Sequence, residues 1–262
     1  MKDLSNLGWP EAPFGSVTRP VQKPGSWLTA VSMIWADAGE EPIIMGAAAV
    51  FLQIHRTRSL PVTPSLAHFG YRVLVPETLD ENIAILTRLD TILVQARREA
   101  QVIAWHHAVD DLHLLCRQAE AVTDSRYPGV SAIAEAWQDR GHREPSTARC
   151  VDTALDLGPN GLVSDTAVAN DLTPMPQFAG MQQQTRAQHA CEALVEDRYA
   201  DYAPEMMAVN VLSSALMTGL LGGLQAERLH WDAPLVASDL LENVAWDIAP
   251  SVLGGVVTPQ TQ

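Results

Sequence analysis

The residues best equipped for chemistry lie in one stretch, Val102–Leu115, VIAWHHAVDDLHLL. Val102 to Trp105 reads as a short buried strand, His106-His107 as a polar break, and Asp110-Asp111 as an acid-led helix start. Carboxylates at such a position can hold a divalent cation, and a neighbouring imidazole can move a proton. Asp111 serves equally well as a helix N-terminal acid favoured by the helix dipole. His106 and His107 point opposite ways if the backbone is extended, so one of them is expected to be buried and hydrogen-bonded.

Other titratable residues have two readings each. His189, Glu192, Glu196, Asp197 and Asp201 share a late acidic helix, Asp197 being either a ligand or one of several exposed helix acids. Asp152-Thr153 has the pattern of a strand-to-helix cap. Asp37, Glu40 and Glu41 read as a solvated turn. Tryptophans can stack bases, but Trp27, Trp35 and Trp105 fall in expected strands and are better explained as core.

The elements that must position these groups are legible from periodicity. Residues 1–26 are rich in Pro, Gly and polar residues and read as an irregular N-terminal arm, anchored by Trp9 and Phe14. Trp27–Ala36 and Pro42–Gln53 make an antiparallel hairpin about the turn at Gly39, and Gly46 with the alanines of the second strand invites close packing. Tyr71–Val75 is a further strand. Thr78 and Glu81 stand at capping-box spacing ahead of an amphipathic helix, Leu79–Ala100, which delivers the chain to the Val102 strand. Cys150–Leu157 is a strand passing into a helix, and helices are expected over Val130–Arg140, Leu162–Leu172, His189–Tyr202, Glu205–Leu221 and Leu235–Ile248. This order gives an α/β domain, 27–250, with a mixed sheet flanked by α-helices, followed by a flexible tail, 251–262.

Composition narrows the function classes. A formal charge of −14 argues against a surface that wraps duplex nucleic acid, whose affinity comes from Lys and Arg on phosphates. It leaves room for a small site aided by metal ions. Cys116, Cys150 and Cys191 contain no CxxC pair, give no zinc signature and fit a reducing cytosol. The start of the chain has no apolar core of a signal peptide, so a cytoplasmic location is expected. Met206–Ala226 is uncharged and long enough to span a bilayer, but its Asn, Ser, Thr, Gln and Gly residues favour a buried helix and no membrane association.

Four short motifs in order resemble the DEDD (DnaQ-like) 3′–5′ exonuclease superfamily over about residues 27–224. His106-His107-Ala108-Val109-Asp110-Asp111 is similar to a strand-ending His-Asn pair followed by a helix-opening Asp, with His107 in place of the amide. Val151-Asp152-Thr153 stands where that family has a Val-Asp-Thr strand start. Ala193-Leu194-Val195-Glu196-Asp197 fits its late Ala-Leu-x-x-Asp pattern, and Gly46-Ala47-Ala48-Ala49-Val50 is similar to its Gly-Ala-Val strand. The resemblance implies a ribonuclease-H-like fold and a metal-dependent exonuclease acting on single-stranded or short nucleic-acid 3′ ends. Asp111 and Asp197 would bind Mg²⁺ or Mn²⁺, since paired divalent ions clamp both oxygens of an in-line displacement. Glu192 or His189 would act as base, with His106, His107, Asp152 and Thr153 at the substrate. The family's first strand carries Asp-x-Glu, whereas a hairpin folded about Gly39 sets Gly46 opposite Ser32, in a Val31-Ser32-Met33-Ile34 segment without a carboxylate. An acid from Asp37–Glu41 would have to complete the site, although Asp37 lies about 16 Å from Ser32 along a strand. The rival expectation is a binding or scaffold protein, the same fold with a decayed metal site kept for a nucleic-acid or protein partner.

Overall fold

The computed structural model describes residues 1–7, 27–39, 41–64, 69–122, 126–142, 147–158, 161–178, 182–196, 198, 203–245 and 248. Asp197, Glu40, Asp201, Trp9, Phe14 and the 251–262 tail lie outside the described residues. In chain order the strands of the main sheet are β1 (Lys2–Ser5), β2 (Trp27–Asp37) and β3 (Pro42–Gln53). The short β4 (Leu60–Pro61) precedes β5 (Phe69–Val75). Helix α1 (Asn82–Glu99) leads to β6 (Ala100–Trp105), which is followed by α2 (Ala108–Ala121) and α3 (Pro128–Gln138). Strand β7 (Arg149–Asp152) passes directly into α4 (Thr153–Asp156), then α5 (Val163–Val168) and the short β8 (Leu172–Thr173). The long helices α6 (Gln182–Val195) and α7 (Ala203–Gln225) precede the short β9 (Leu229–His230) and β10 (Leu235–Val236), and α8 (Ala237–Ala245) follows.

The protein is α/β, with a mixed six-stranded sheet in the order β1-β5-β3-β2-β6-β7 flanked by helices. The β2–β3–β5–β1 side is antiparallel, while β2, β6 and β7 run parallel. Because both faces are covered, β3 is an apolar run without polar alternation, and β5 is buried along its whole length, Arg72 being its one charged residue. On one face Leu28, Ala30, Val50, Leu52, Val102 and Ala104 pack against α7. On the other, Val31, Phe51, Ile103 and Trp105 pack against α1, α2 and α3 through residues such as Leu89, Leu115 and Trp137.

Helix α7, uncharged from Met206 onward, is the only described helix long and apolar enough to cross a membrane, and 94% of its apolar window is buried inside the domain. Its small residues let it lie against the sheet. A β-carbon on Gly222 would fall 2.3 Å from Ala104 Cβ, and one on Gly46 of β3 would fall 3.3 Å from Val211 Cγ1.

Three expectations need correction. The beginning of the chain is not an irregular arm: Lys2–Ser5 pair with Val75–Arg72 as an antiparallel edge strand, held by Arg72 to Asp3 at 2.6 Å. An irregularity between Ile34 and Trp35 shifts the hairpin register, so Gly46 stands opposite Ile34 and Ser32 opposite Ala48. The helix expected over Leu162–Leu172 stops at Val168, because Asp171 takes a positive φ of 57° and Leu172-Thr173 then pair with Leu235-Val236.

Candidate functional site

The parallel strands β2, β6 and β7 end on the same side of the sheet, and a cavity of about 200 Å³ opens there. Its walls come from the end of β2 (Ser32 to Trp35), the β6–α2 turn (His106, His107, Asp111), the start of α5, Gln184 of α6, and Ser214 and Thr218 of α7. Among the described residues no Lys or Arg lines it.

Asp111 is the centre of this cleft. It lies one turn into α2, and its two oxygens accept from two indoles: Trp35 Nε1 to Oδ1 at 2.8 Å and Trp105 Nε1 to Oδ2 at 2.6 Å. Trp35 reaches in from the end of β2 and Trp105 from the end of β6, so a helix acid is tied to two neighbouring strands. Trp105 is fully buried and meets Trp137 edge to face, with ring centroids 6.1 Å apart. Burial pushes the Asp111 carboxyl up to about 7 against the opposing pull of the Trp105 and Trp35 N–H groups, and the charges of Asp110 and Asp152 push the same way as burial.

The histidines do not alternate as an extended strand would require. His107 adopts a left-handed conformation, φ 60° and ψ 44°, which brings both rings to one side with centroids 4.6 Å apart. Both Nε2 atoms donate to the carbonyl of Gly161, His106 at 2.8 Å and His107 at 2.9 Å. A carbonyl only accepts, so His106 carries a hydrogen on Nε2, while its Nδ1 lies 2.8 Å from the Thr153 hydroxyl, whose one hydrogen is shared between that nitrogen and the Trp105 carbonyl at 3.3 Å. Burial lowers the His106 pKa, although the Gly161 contact resists that shift. The strained backbone at His107 is offset by these bonds and by its own N–H, which donates to Asp152 Oδ1 at 3.3 Å.

Asp152 and Thr153 are structural. Fully buried, Asp152 accepts from Ala154 N at 3.1 Å as the N-cap of α4, and from Ala108 N at 3.1 Å across the β6–α2 turn. One carboxylate therefore fixes the starts of two helices.

The remaining expected site residues lie elsewhere. On α6, Ala187, Cys191 and Leu194 form the buried face, which turns His189 and Glu192 to solvent; neither lines the cleft, whereas Gln184 does. Asp37 serves the hairpin turn: its Oδ1 accepts from Gly39 N at 2.9 Å, and its backbone N–H and carbonyl pair with the Gln188 amide at 3.1 Å each. Asp197 lies outside the described residues.

Sequence reasoning missed Trp35 and Trp105 as polar partners, since apolar strands conceal an indole N–H. It also missed the α7 contribution, although Asn210, Ser214 and Thr218 at four-residue intervals mark a polar stripe on an uncharged helix.

These side chains do not fit a two-metal centre, which needs several converging carboxylates. Among the described residues Asp111 is the one carboxylate that lines the cleft, each of its oxygens accepting a single indole N–H and keeping a further lone pair. The β2 wall offers Ser32, Met33 and Ile34. Among the described residues, no group of three or more His, Cys, Asp or Glu side chains could hold a metal ion.

No protein-family model matches this chain, and no curated protein matches it.

Proposed function

We propose that this chain is a cytoplasmic binding protein built on a ribonuclease-H-like scaffold, a relative of the DEDD exonucleases whose cleft retains a ligand without hydrolysing it. The scaffold reading is supported by a β2–β3–β5 meander on one side of β2 and parallel crossovers to β6 and β7 on the other, with the His106–Asp111 motif at the strand ends. The non-hydrolytic reading is carried by one observation: the end of β2 presents Ser32, Met33, Ile34 and Trp35 to the cleft and no carboxylate. In place of a second carboxylate, β2 brings a tryptophan whose N–H donates to Asp111. The Asp111 side chain thereby becomes part of the wall that shapes the cleft.

The test is release of nucleotides from a 3′-labelled oligonucleotide with Mg²⁺ or Mn²⁺, comparing the wild type with Asp111→Ala. Background release from both is the expected result. Metal-dependent release by the wild type that disappears in Asp111→Ala overturns the proposal.

A further inference from the structure

The cleft keeps an unsatisfied polar group in its wall. Thr218 is fully buried, lines the cavity, and its hydroxyl has no hydrogen-bond partner. Helical threonines ordinarily settle their hydroxyl on the carbonyl four residues back, as Thr87 does on Ile83 at 2.8 Å and Thr91 on Thr87 at 3.2 Å. Thr218 does not. Five and eight residues earlier on the same helix, outside the cavity lining, the Ser213 hydroxyl and both polar atoms of the Asn210 amide are buried without partners. An unmade hydrogen bond in a packed interior is destabilising, and groups retained at such a cost mark places where function outweighs stability.

The chemistry of the wall defines what would satisfy Thr218. Hydroxyl and amide groups of Ser32, Gln184 and Thr218 both donate and accept, which matches ligand hydroxyls. Trp35, Met33, Ile34, Leu162 and Val163 supply an apolar surface, and the Trp35 ring is held in place by its bond to Asp111. The described lining holds no Lys or Arg, its two imidazoles already donate Nε2–H to Gly161, and the chain carries a net charge of −14, so an anionic group finds little compensation there. A divalent cation finds only one carboxyl, Asp111, among the described lining residues.

We infer that the cleft binds a small uncharged ring compound bearing hydroxyls, such as a neutral sugar, free or within a nucleoside, and excludes its phosphorylated form. This rests on the reading of the cleft as a binding site and assigns its ligand class. Ring hydroxyls meet Thr218 and Gln184, while the C–H face of the ring lies on the apolar wall.

The experiment is isothermal titration of the full chain with three probes: glucose, uridine and uridine 5′-monophosphate. At least one neutral probe binds saturably, glucose or uridine telling a free sugar from a nucleoside, and the monophosphate binds about tenfold more weakly than uridine or not at all. Thr218→Val, nearly isosteric, weakens the neutral probe by about tenfold, the scale of one lost hydrogen bond. The same variant melts at an equal or higher temperature, because it removes a buried hydroxyl without a partner. Absence of saturable binding by either neutral probe, monophosphate binding as tight as uridine, or unchanged affinity in Thr218→Val overturns the inference. Failure of the non-hydrolytic reading would be seen separately, as metal-dependent oligonucleotide cleavage by the same preparation.

Discussion

Trp105 and Asp111, six residues apart, are joined by a 2.6 Å bond from indole Nε1 to carboxyl Oδ2 that spans the turn from β6 to α2. With the 2.8 Å bond from Trp35 it converts an acid at the mouth of a cleft into a fixed part of the wall. Trp105→Phe removes one donor and, because phenyl is smaller than indole, also leaves a gap in the packed core. The expected loss is about 2–4 kcal/mol, the unmade acceptor and the gap together, read from urea denaturation. Trp35→Phe, at a more exposed position, is expected to lose less.

The Asp111 carboxyl, pushed up to about 7 in the folded chain, has an ordinary carboxylate pKa when unfolded. The native state therefore binds more protons between those two values. Its contribution is fully present in acid, below the unfolded pKa, and is lost as pH rises from about 4 through about 7. Asp111→Asn abolishes this dependence. Melting temperatures across that window should fall less with rising pH in the variant than in the wild type, by an amount corresponding to roughly 1–3 kcal/mol after allowing for solvent screening. Parallel curves would contradict the assignment.

Asp152→Ala leaves the N–H groups of His107, Ala108 and Ala154 without their acceptor. A loss of about 3–4 kcal/mol is expected, since three orphaned donors at two helix starts exceed a single missing cap. Asp152→Asn keeps one acceptor oxygen and should lose about half as much. Urea midpoints of the three proteins provide the comparison.

Close packing of α7 on the sheet makes a separate prediction. Gly222→Ala places a β-carbon against that of Ala104, with no flexible side chain to yield. It should cost about 1–3 kcal/mol by overpacking. Gly141→Ala, which meets nothing within 4 Å, should stay within about 0.5 kcal/mol of the wild type. Thermal denaturation of both variants separates the two.

How much of this was legible in the sequence depended on whether the determining contact was local. The β2–β3 hairpin, the α1 start and the strand-to-helix passage at Asp152 follow from periodicity and capping, which act within a few residues. Glu81 indeed accepts from Thr78 N at 3.2 Å. Close packing at Gly46 was legible too, since a small-residue strand needs a neighbour. The hairpin register was not, because the irregularity after Ile34 obeys packing on both faces. The edge strand Lys2–Ser5 depends on Val75–Arg72, some seventy residues away, and carries no strand signal of its own. At the site, His106, His107 and Asp111 were found as a cluster, but their orientation was hidden. A positive φ at His107 turns both rings toward Gly161, and the partners of Asp111 are indoles read from sequence only as core.

The indole clamp can be observed directly. In a ¹⁵N–¹H spectrum of the tryptophan side chains, Trp35 and Trp105 Nε1–H are identified by their disappearance in the corresponding Phe variants. Titration with Mg²⁺ should leave both signals in place, and Mn²⁺ should broaden neither, because a carboxylate without converging partners holds a divalent ion only weakly. Selective Mn²⁺ broadening of these two signals, with a matching Mg²⁺ shift that vanishes in Asp111→Asn, would place a metal ion on Asp111 and contradict the non-hydrolytic reading of the cleft.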